Sequence, residues 1–262
     1  MLNSNVNNTY LSAASDNAQV GVVILAAGDG KRMKSSVPKV MNLLREEPLV
    51  AHVVRSVEGA SFGVKPVVIV NPSHSLVQDY LQERATYVVQ NEQLGTAHAV
   101  GCAEPVLKDK AECVVVLYGD MPFIKPASLQ YLVETYRREK SAITLMTVTV
   151  PDFDGWKAQF ADFGRIERDE EGNILSIVEK KDATPQQLAI TEVNTSYFCF
   201  DADWLWRNLK AVKNENAQKE FYLVDLIKIG RAQGVKIGTV QIDPKEAVGI
   251  NTKEHLDIAQ AI

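Results

Sequence analysis

The sequence predicts an α/β protein: a doubly wound, mostly parallel sheet with a smaller β-rich segment laid over its ligand end. Three observations predict it. Short β-branched runs alternate with stretches of helical apolar spacing from Val20 to Val150. Two of those runs end in glycine-containing loops, Ala26-Ala27-Gly28-Asp29-Gly30 and Gly119-Asp120-Met121-Pro122. Beyond Pro151 the alternation gives way to a hairpin pattern. Strands alternating with helices build parallel sheets covered on both faces.

Taken in order, residues 1–19 are rich in Asn, Ser and Ala without apolar period, and are expected to form a flexible N-terminal tail. Residues 20–262 are expected to form one domain, since no Pro/Ser-rich gap divides them. Val20 to Leu25 is continuous and β-branched, the pattern of a strand buried on both faces. Pro48 to Val57 carries apolar residues at helical spacing, and Val67 to Val70 is a strand broken by Asn71-Pro72-Ser73. Ser75 to Arg84 reads as a helix, Tyr87 to Gln90 as a short strand, Ala97 to Val106 as a helix and Cys113 to Tyr118 as an apolar strand. Pro126 to Glu139 is a helix and Ala142 to Val150 a strand. Ile166 and Ile174 flank the turn Asp169-Glu170-Glu171-Gly172-Asn173, and Glu192 to Phe200 is a further strand. In such sheets ligands bind at the carboxyl ends of the strands, where both glycine loops fall.

Composition excludes several classes. Of 262 residues, 46% are apolar and 23% charged, an ordinary globular balance, and the net charge of −5 leaves no basic block for nucleic acid. Cys102, Cys113 and Cys199 form no CxxC pair and read as reduced core residues. No apolar run approaches the roughly 20 residues of a membrane span, and the N-terminus has no secretory pattern. The expectation is a cytoplasmic protein without a membrane or nucleic-acid partner.

The chemistry starts at Leu25-Ala26-Ala27-Gly28-Asp29-Gly30-Lys31-Arg32-Met33, followed by Val37-Pro38-Lys39. Glycines let backbone N–H groups approach phosphate oxygens, and Arg32 and Lys39 add positive charge nearby. The GxxxxGK[ST] spacing is absent, and Met33 stands where a dinucleotide fingerprint needs its third glycine. A lone GxG also suits a plain tight turn.

The string from Leu25 to Lys39 resembles the LAAGxGTRMxSxxPK signature of sugar nucleotidyltransferases. Gln90-Asn91-Glu92-Gln93-Leu94-Gly95-Thr96-Ala97-His98-Ala99 resembles their nucleobase-binding segment, and Tyr118-Gly119-Asp120-Met121-Pro122 their metal-binding YGDxP. Phe163-Gly164-Arg165-Ile166, Val178-Glu179-Lys180 and Glu192-Val193-Asn194-Thr195 are similar to the sugar-site elements, and Gly249-Ile250-Asn251 to the closing GVN. Order and spacing over residues 20–260 are similar to the uridylyltransferase domain of the bifunctional bacterial enzymes that make UDP-N-acetylglucosamine.

The resemblance implies a Rossmann-like sheet of the nucleotidyltransferase type with a small sugar-binding lid. It implies UMP transfer from UTP to N-acetylglucosamine-1-phosphate, giving UDP-N-acetylglucosamine, a cell-wall precursor, and pyrophosphate. By the same resemblance Arg32 and Lys39 are catalytic. Leu25, Ala26, Ala27, Gly28, Gly30, Gln90, Gly95 and Thr96 bind the nucleotide, and Gly164, Glu179 and Asn194 the sugar. Asp120 and Asn251 hold Mg2+, which suits hard oxygen ligands and shares them with phosphates. Gln90 is suited to a base edge because an amide both donates and accepts. His98 reads as a structural residue, and Asp201 and Asp203 as part of a helix cap.

Three features depart from the family pattern. Lys31 stands where Thr is common, and Ser196 where Gly is usual, so a side chain narrows the expected sugar pocket. No hexapeptide repeats of an acetyltransferase β-helix appear before Ile262. Acetyl transfer, and the trimer that such a helix drives, are therefore not expected; a monomer or small homo-oligomer is. Two rival readings stay open: a nucleotidyltransferase for another sugar-1-phosphate or NTP, and a non-catalytic nucleotide-sugar sensor. The sensor would be expected to lack Asp120, Asn251, Lys39 or Arg32, and all four are present.

Overall fold

The computed structural model describes residues 19–28, 30–33, 35–216 and 218–262. All but the last residue of the expected tail, and Asp29, lie outside these. In chain order the strands are β1 (Val20–Leu25), β2 (Leu43–Leu44), β3 (Glu47–Pro48), β4 (Val67–Val70), β5 (Thr86–Val89), β6 (Cys113–Tyr118), β7 (Ile143–Thr149), β8 (Arg165–Arg168), β9 (Ile174–Val178), β10 (Glu192–Asp201) and β11 (Ile237–Gln241). The helices are α1 (Leu49–Gly59), α2 (Leu76–Leu81), α3 (Thr96–Gly101), α4 (Glu104–Leu107), α5 (Pro126–Glu139), α6 (Pro185–Leu188), α7 (Ala202–Asn208), α8 (Asp225–Ala232) and α9 (Lys253–Ala261).

The main sheet runs β11-β7-β10-β6-β1-β4-β5. Every neighbouring pair is parallel except the two made by β10, which runs antiparallel between β6 and β7. The fold is thus the expected doubly wound, mostly parallel α/β sheet. β1 lies between two parallel neighbours, which is why Val20-Gly21-Val22-Val23-Ile24-Leu25 carries no polar side chain. Alternate residues feed two cores, one on each face. Val22, Ile24, Val115 and Leu117 pack in the cluster that includes α1 and α5 residues such as Val53 and Leu132. Val23, Val114 and Val116 pack in the cluster that includes Leu205 of α7 and Leu226 of α8. Each fully buried aliphatic side chain contributes about 1.5–3 kcal/mol.

Two elements differ from expectation. The helix expected from Ala97 to Val106 breaks into α3 and α4, because Pro105 has no N–H to continue the ladder. The strand at Glu192, expected among the segments beyond the main sheet, is its long antiparallel member. The β8–β9 hairpin hangs from β10 through the Val193–Arg165 pairing and forms the small β-rich lid.

This topology brings the loop ends together. Leu25 is in register with Tyr118 and Ile69, and Val70 with Val89, so β1, β4, β5 and β6 end at one edge. The reversed β10 delivers its amino end, Glu192 to Asn194, opposite the carboxyl end of β7. Arg165 ties the lid to the segment that precedes it and to α6. Its side chain is 2% exposed, and its guanidinium donates to the carbonyls of Phe163, Ala161 (3.1 Å), Phe160 (3.4 Å) and Leu188 (3.4 Å). The ring of Phe153 lies 4.7 Å from it. Burial pulls its pKa below the usual guanidinium value. Arg165→Ala would remove the guanidinium donor to the carbonyls of Phe163, Ala161 and Leu188 and is expected to cost about 3 kcal/mol, read as a lower midpoint in urea unfolding.

Candidate active site

The loop after β1 is held by the backbone. Ala26 N–H donates to Ile69 (2.9 Å), and Gly119 N–H to Leu25 (2.9 Å). Asn71 Nδ2 donates to Ala27 O (3.2 Å), tying the loop after β4 to the same place. Gly30 has φ +62°, and a Cβ there would stand 2.5 Å from Lys39 Cβ. Only glycine lets this loop pass so close to the stem of Lys39.

Lys39 is the hub. Its Nζ lies 2.5 Å from Asp120 Oδ2 and 3.0 Å from Asn251 Oδ1, uniting residues 81 and 212 positions away in the chain. Arg32 donates to the same Asn251 oxygen at 3.2 Å. Asn251 is positioned by its neighbours: Ile250 N–H donates to Asp120 O (2.9 Å) and Gly249 N–H to Gln159 Oε1 (2.9 Å). The oxygens of Asp120 and Asn251 therefore converge on one point, already occupied by a cationic nitrogen.

Two cavities meet here. One, about 220 Å³, is lined by Leu25, Ala27, Gly28, Gln90, Gly95 and Thr96. The other, about 240 Å³, is lined by Gly164, Glu179, Asn194, Thr195, Ser196 and Asn251. Lys39, Tyr118 and Asp120 line both. Ala26, Gly30 and Arg32 line neither: Ala26 is buried, Gly30 backs Lys39, and Arg32 donates to Asn251. A larger cavity, about 570 Å³, lies beyond Glu179 between β9 and α8 and contains no glycine-loop residue.

Gln90 is buried, and its Nε2 faces Gly95 O (3.3 Å) and His98 Nδ1 (3.0 Å). A carbonyl only accepts, so the amino group must point inward, which leaves Oε1 as the acceptor on offer to the cavity. His98 thus serves as a support for Gln90. Asp201 caps α7, accepting from Trp204 N–H at 2.8 Å, as its place after a strand suggests.

Burial raises the pKa of Tyr118 above the usual phenol range, and the charges of Asp120 and Glu179 add to it. Burial also raises Glu179 above the ordinary carboxylate value; Asp182 and Asp225 add to the shift and Lys228 offsets part of it. Tyr222 is pushed up to about 12, again chiefly by burial and then by Glu220.

Sequence reading missed the segment from Val212 to Leu223. Its backbone clasps the loop before α3: Phe221 N–H donates to Leu94 O (2.8 Å), Ala97 N–H donates to Phe221 O (2.9 Å), and Leu223 N–H donates to Thr96 Oγ1 (2.9 Å). Gly95 has φ +119°, and a Cβ there would meet Phe221 backbone at 2.6 Å. Glu220 joins the first cavity. The available signal was a long polar run without periodicity, the kind of loop that often carries function.

The chain matches the family of the MobA-like NTP transferase domain over residues 22–217. It is 42% identical over 246 residues to the bifunctional protein GlmU of Brevibacillus brevis, covering 93% of this chain and 51% of that protein. It is 39% identical over 240 residues to the bifunctional protein GlmU of Clostridium botulinum, covering 92% of this chain and 51% of that one. The chain thus spans about half the length of these curated relatives. In fold it is similar to a solved UDP-glucose pyrophosphorylase complexed with UDP-glucose: TM-score 0.71, 17% identity, 93% of this chain and 98% of that one covered. A solved Bacillus anthracis protein assigned as a glucose-1-phosphate thymidylyltransferase gives TM-score 0.75 at 20% identity, covering 92% and 94%.

Glu179 yields a pH test. Its pKa is raised on folding, so its protonated form is favoured in the fold. That stabilising contribution is full below the ordinary Glu value and is lost as pH rises through the folded value. Glu179→Gln is therefore expected to be more stable than the parent at pH 8, with the difference shrinking below pH about 4. Urea midpoints across pH read this, and an equal difference at both ends would refute it.

Proposed function

The chain belongs to the MobA-like NTP transferase family, and from that premise we propose that it transfers UMP from UTP to N-acetylglucosamine-1-phosphate, releasing pyrophosphate. One observation carries the reading: two separate cavities, one against a glycine loop and one under a β-rich lid, share the wall formed by Lys39, Tyr118 and Asp120. A donor nucleotide and an acceptor sugar phosphate then meet at that wall.

In this reading the acceptor phosphate oxygen attacks the α-phosphorus of UTP. A new P–O bond forms, the bond from α-phosphorus to the bridging oxygen breaks, and the electron pair leaves with pyrophosphate. The attacking oxygen is already ionised at neutral pH, so catalysis consists of positioning and charge neutralisation. Lys39 stands at the meeting point and offsets the developing charge. Arg32 steadies the departing phosphates from the side of Asn251. Gln90 Oε1, left for the cavity, accepts from the N3–H of uracil. Glu179 and Asn194 hold sugar hydroxyls in the second cavity.

The donor set fits magnesium. Asp120 and Asn251 offer hard oxygens converging where a lysine nitrogen already sits. Among the described residues no cluster of His, Cys, Asp or Glu forms an all-protein metal cage. That is the pattern of a cation held by few protein atoms and by substrate phosphates. A bound magnesium ion supplies neutralisation of phosphate charge and in-line alignment.

The test is pyrophosphate release from UTP and magnesium with N-acetylglucosamine-1-phosphate, glucose-1-phosphate or N-acetylgalactosamine-1-phosphate. Release is expected with the first, abolished by chelation and lowered at least about 100-fold by Asp120→Ala or Lys39→Ala. Release only with another sugar or NTP would keep the chemistry and move the acceptor or base assignment. No release with any pair would favour a nucleotide-sugar sensor.

A further inference from the structure

Among the described non-glycine residues with left-handed φ, Ser196 alone lies inside a strand, with φ +65° in β10. The others fall in turns and at helix ends, where such a conformation ends an element. Serine visits this region rarely, because its Cβ crowds the backbone. Strain that persists in a packed sheet is held there by its surroundings, and such positions cluster at functional sites.

The surroundings are specific. The pairing of β10 with β7 slips between Asn194 and Phe198, so Ser196 sits in a bulge. Its N–H donates to Asn194 Oδ1 (2.9 Å), which fixes the bulge and leaves the amide nitrogen of Asn194 for the cavity. Its neighbours Thr195 and Tyr197 are 0% exposed: Thr195 Oγ1 donates to Met146 O (2.9 Å), and Tyr197 Oη to Glu246 O (3.0 Å). Both flanks are therefore locked into the core, whereas Ser196 opens on the acceptor cavity. Phe198 pairs with Val116, and continuing that register sets Ser196 opposite Tyr118. Ser196 and Tyr118 both line the acceptor cavity. Ser196 thus stands beside the wall that the two cavities share, on its sugar side.

We propose that Ser196 is a specificity-determining residue of the acceptor cavity that selects the substituent at the sugar carbon next to the anomeric centre. The inference rests on the acceptor reading above. If the acceptor phosphate meets the donor at Lys39 and Tyr118, the first ring substituent beyond it is the one at C2. Ser196 is the cavity residue that the β10–β6 register sets opposite Tyr118. Its hydroxyl meets the C2 substituent, while Glu179 and Asn194, deeper under the lid, meet the remaining hydroxyls.

The experiment compares the parent with Ser196→Gly and Ser196→Ala. Glucose-1-phosphate and N-acetylglucosamine-1-phosphate differ at C2, and N-acetylgalactosamine-1-phosphate differs from the latter only at C4. In both variants the kcat/KM ratio between the C2 pair is expected to change by about tenfold. The ratio between the C4 pair and the KM for UTP should stay within about twofold. Ser196→Gly also relieves the left-handed strain and should melt about 2–4 °C higher, which shows that it folds. An unchanged C2 ratio, or an equal change in the C4 ratio, overturns the assignment while leaving the acceptor reading intact. A parent inactive with every sugar phosphate removes both.

Discussion

A carboxylate sheltered at the end of a buried strand needs a cation, and much of this fold is arranged to supply one to Asp120. The side chain is nearly enclosed, and an unpaired charge there would cost several kcal/mol. Lys39 reaches it from a loop that passes over Gly30, and Asn251 shares the same ammonium from the far end of the chain. Backbone bonds from Ile250 and Gly119 then fix the loops that carry these groups. The glycine loop, the end of β6 and the segment before α9 are therefore parts of one electrostatic arrangement, although no two are neighbours in sequence.

The site is also polarised. Lys39 stands at the wall between the cavities, with Arg32 behind it at Asn251, while Glu179 lines the second cavity and has Asp182 and Asp225 beyond it in the larger one. Burial and mutual repulsion there disfavour further negative charge and favour neutral hydrogen-bond donors. The raised phenol of Tyr118, lying between the two regions, stays neutral and can bridge them without adding charge.

What the sequence disclosed follows physical range. β1 and β6 were legible because strands buried on both faces must be continuously apolar, and the loops after them because parallel strands end together. The insertion of β10 between β6 and β7 was not, since pairing order is set by contacts remote in the chain. Ser196 could be marked as unusual from the family pattern, but its left-handed backbone and its place opposite Tyr118 belong to the folded chain alone. The contribution of Phe221 left no mark, because it acts through its N–H and C=O, which every residue except proline possesses.

That last contact bears on how such a protein can change over generations. Where Phe221 meets Gly95, recognition is between main chains, and the phenyl ring takes no part in the hydrogen bonds. Val212 and Leu223 are buried and Asn216 bonds to Glu220, but exposed side chains of this segment, such as Lys213 and Lys219, can drift without loosening the clasp. Its length cannot, since one residue inserted or lost would shift the N–H and C=O of Phe221 out of phase with Leu94 and Ala97. Descendants of this loop are free to vary those exposed side chains while inheriting its contour unchanged.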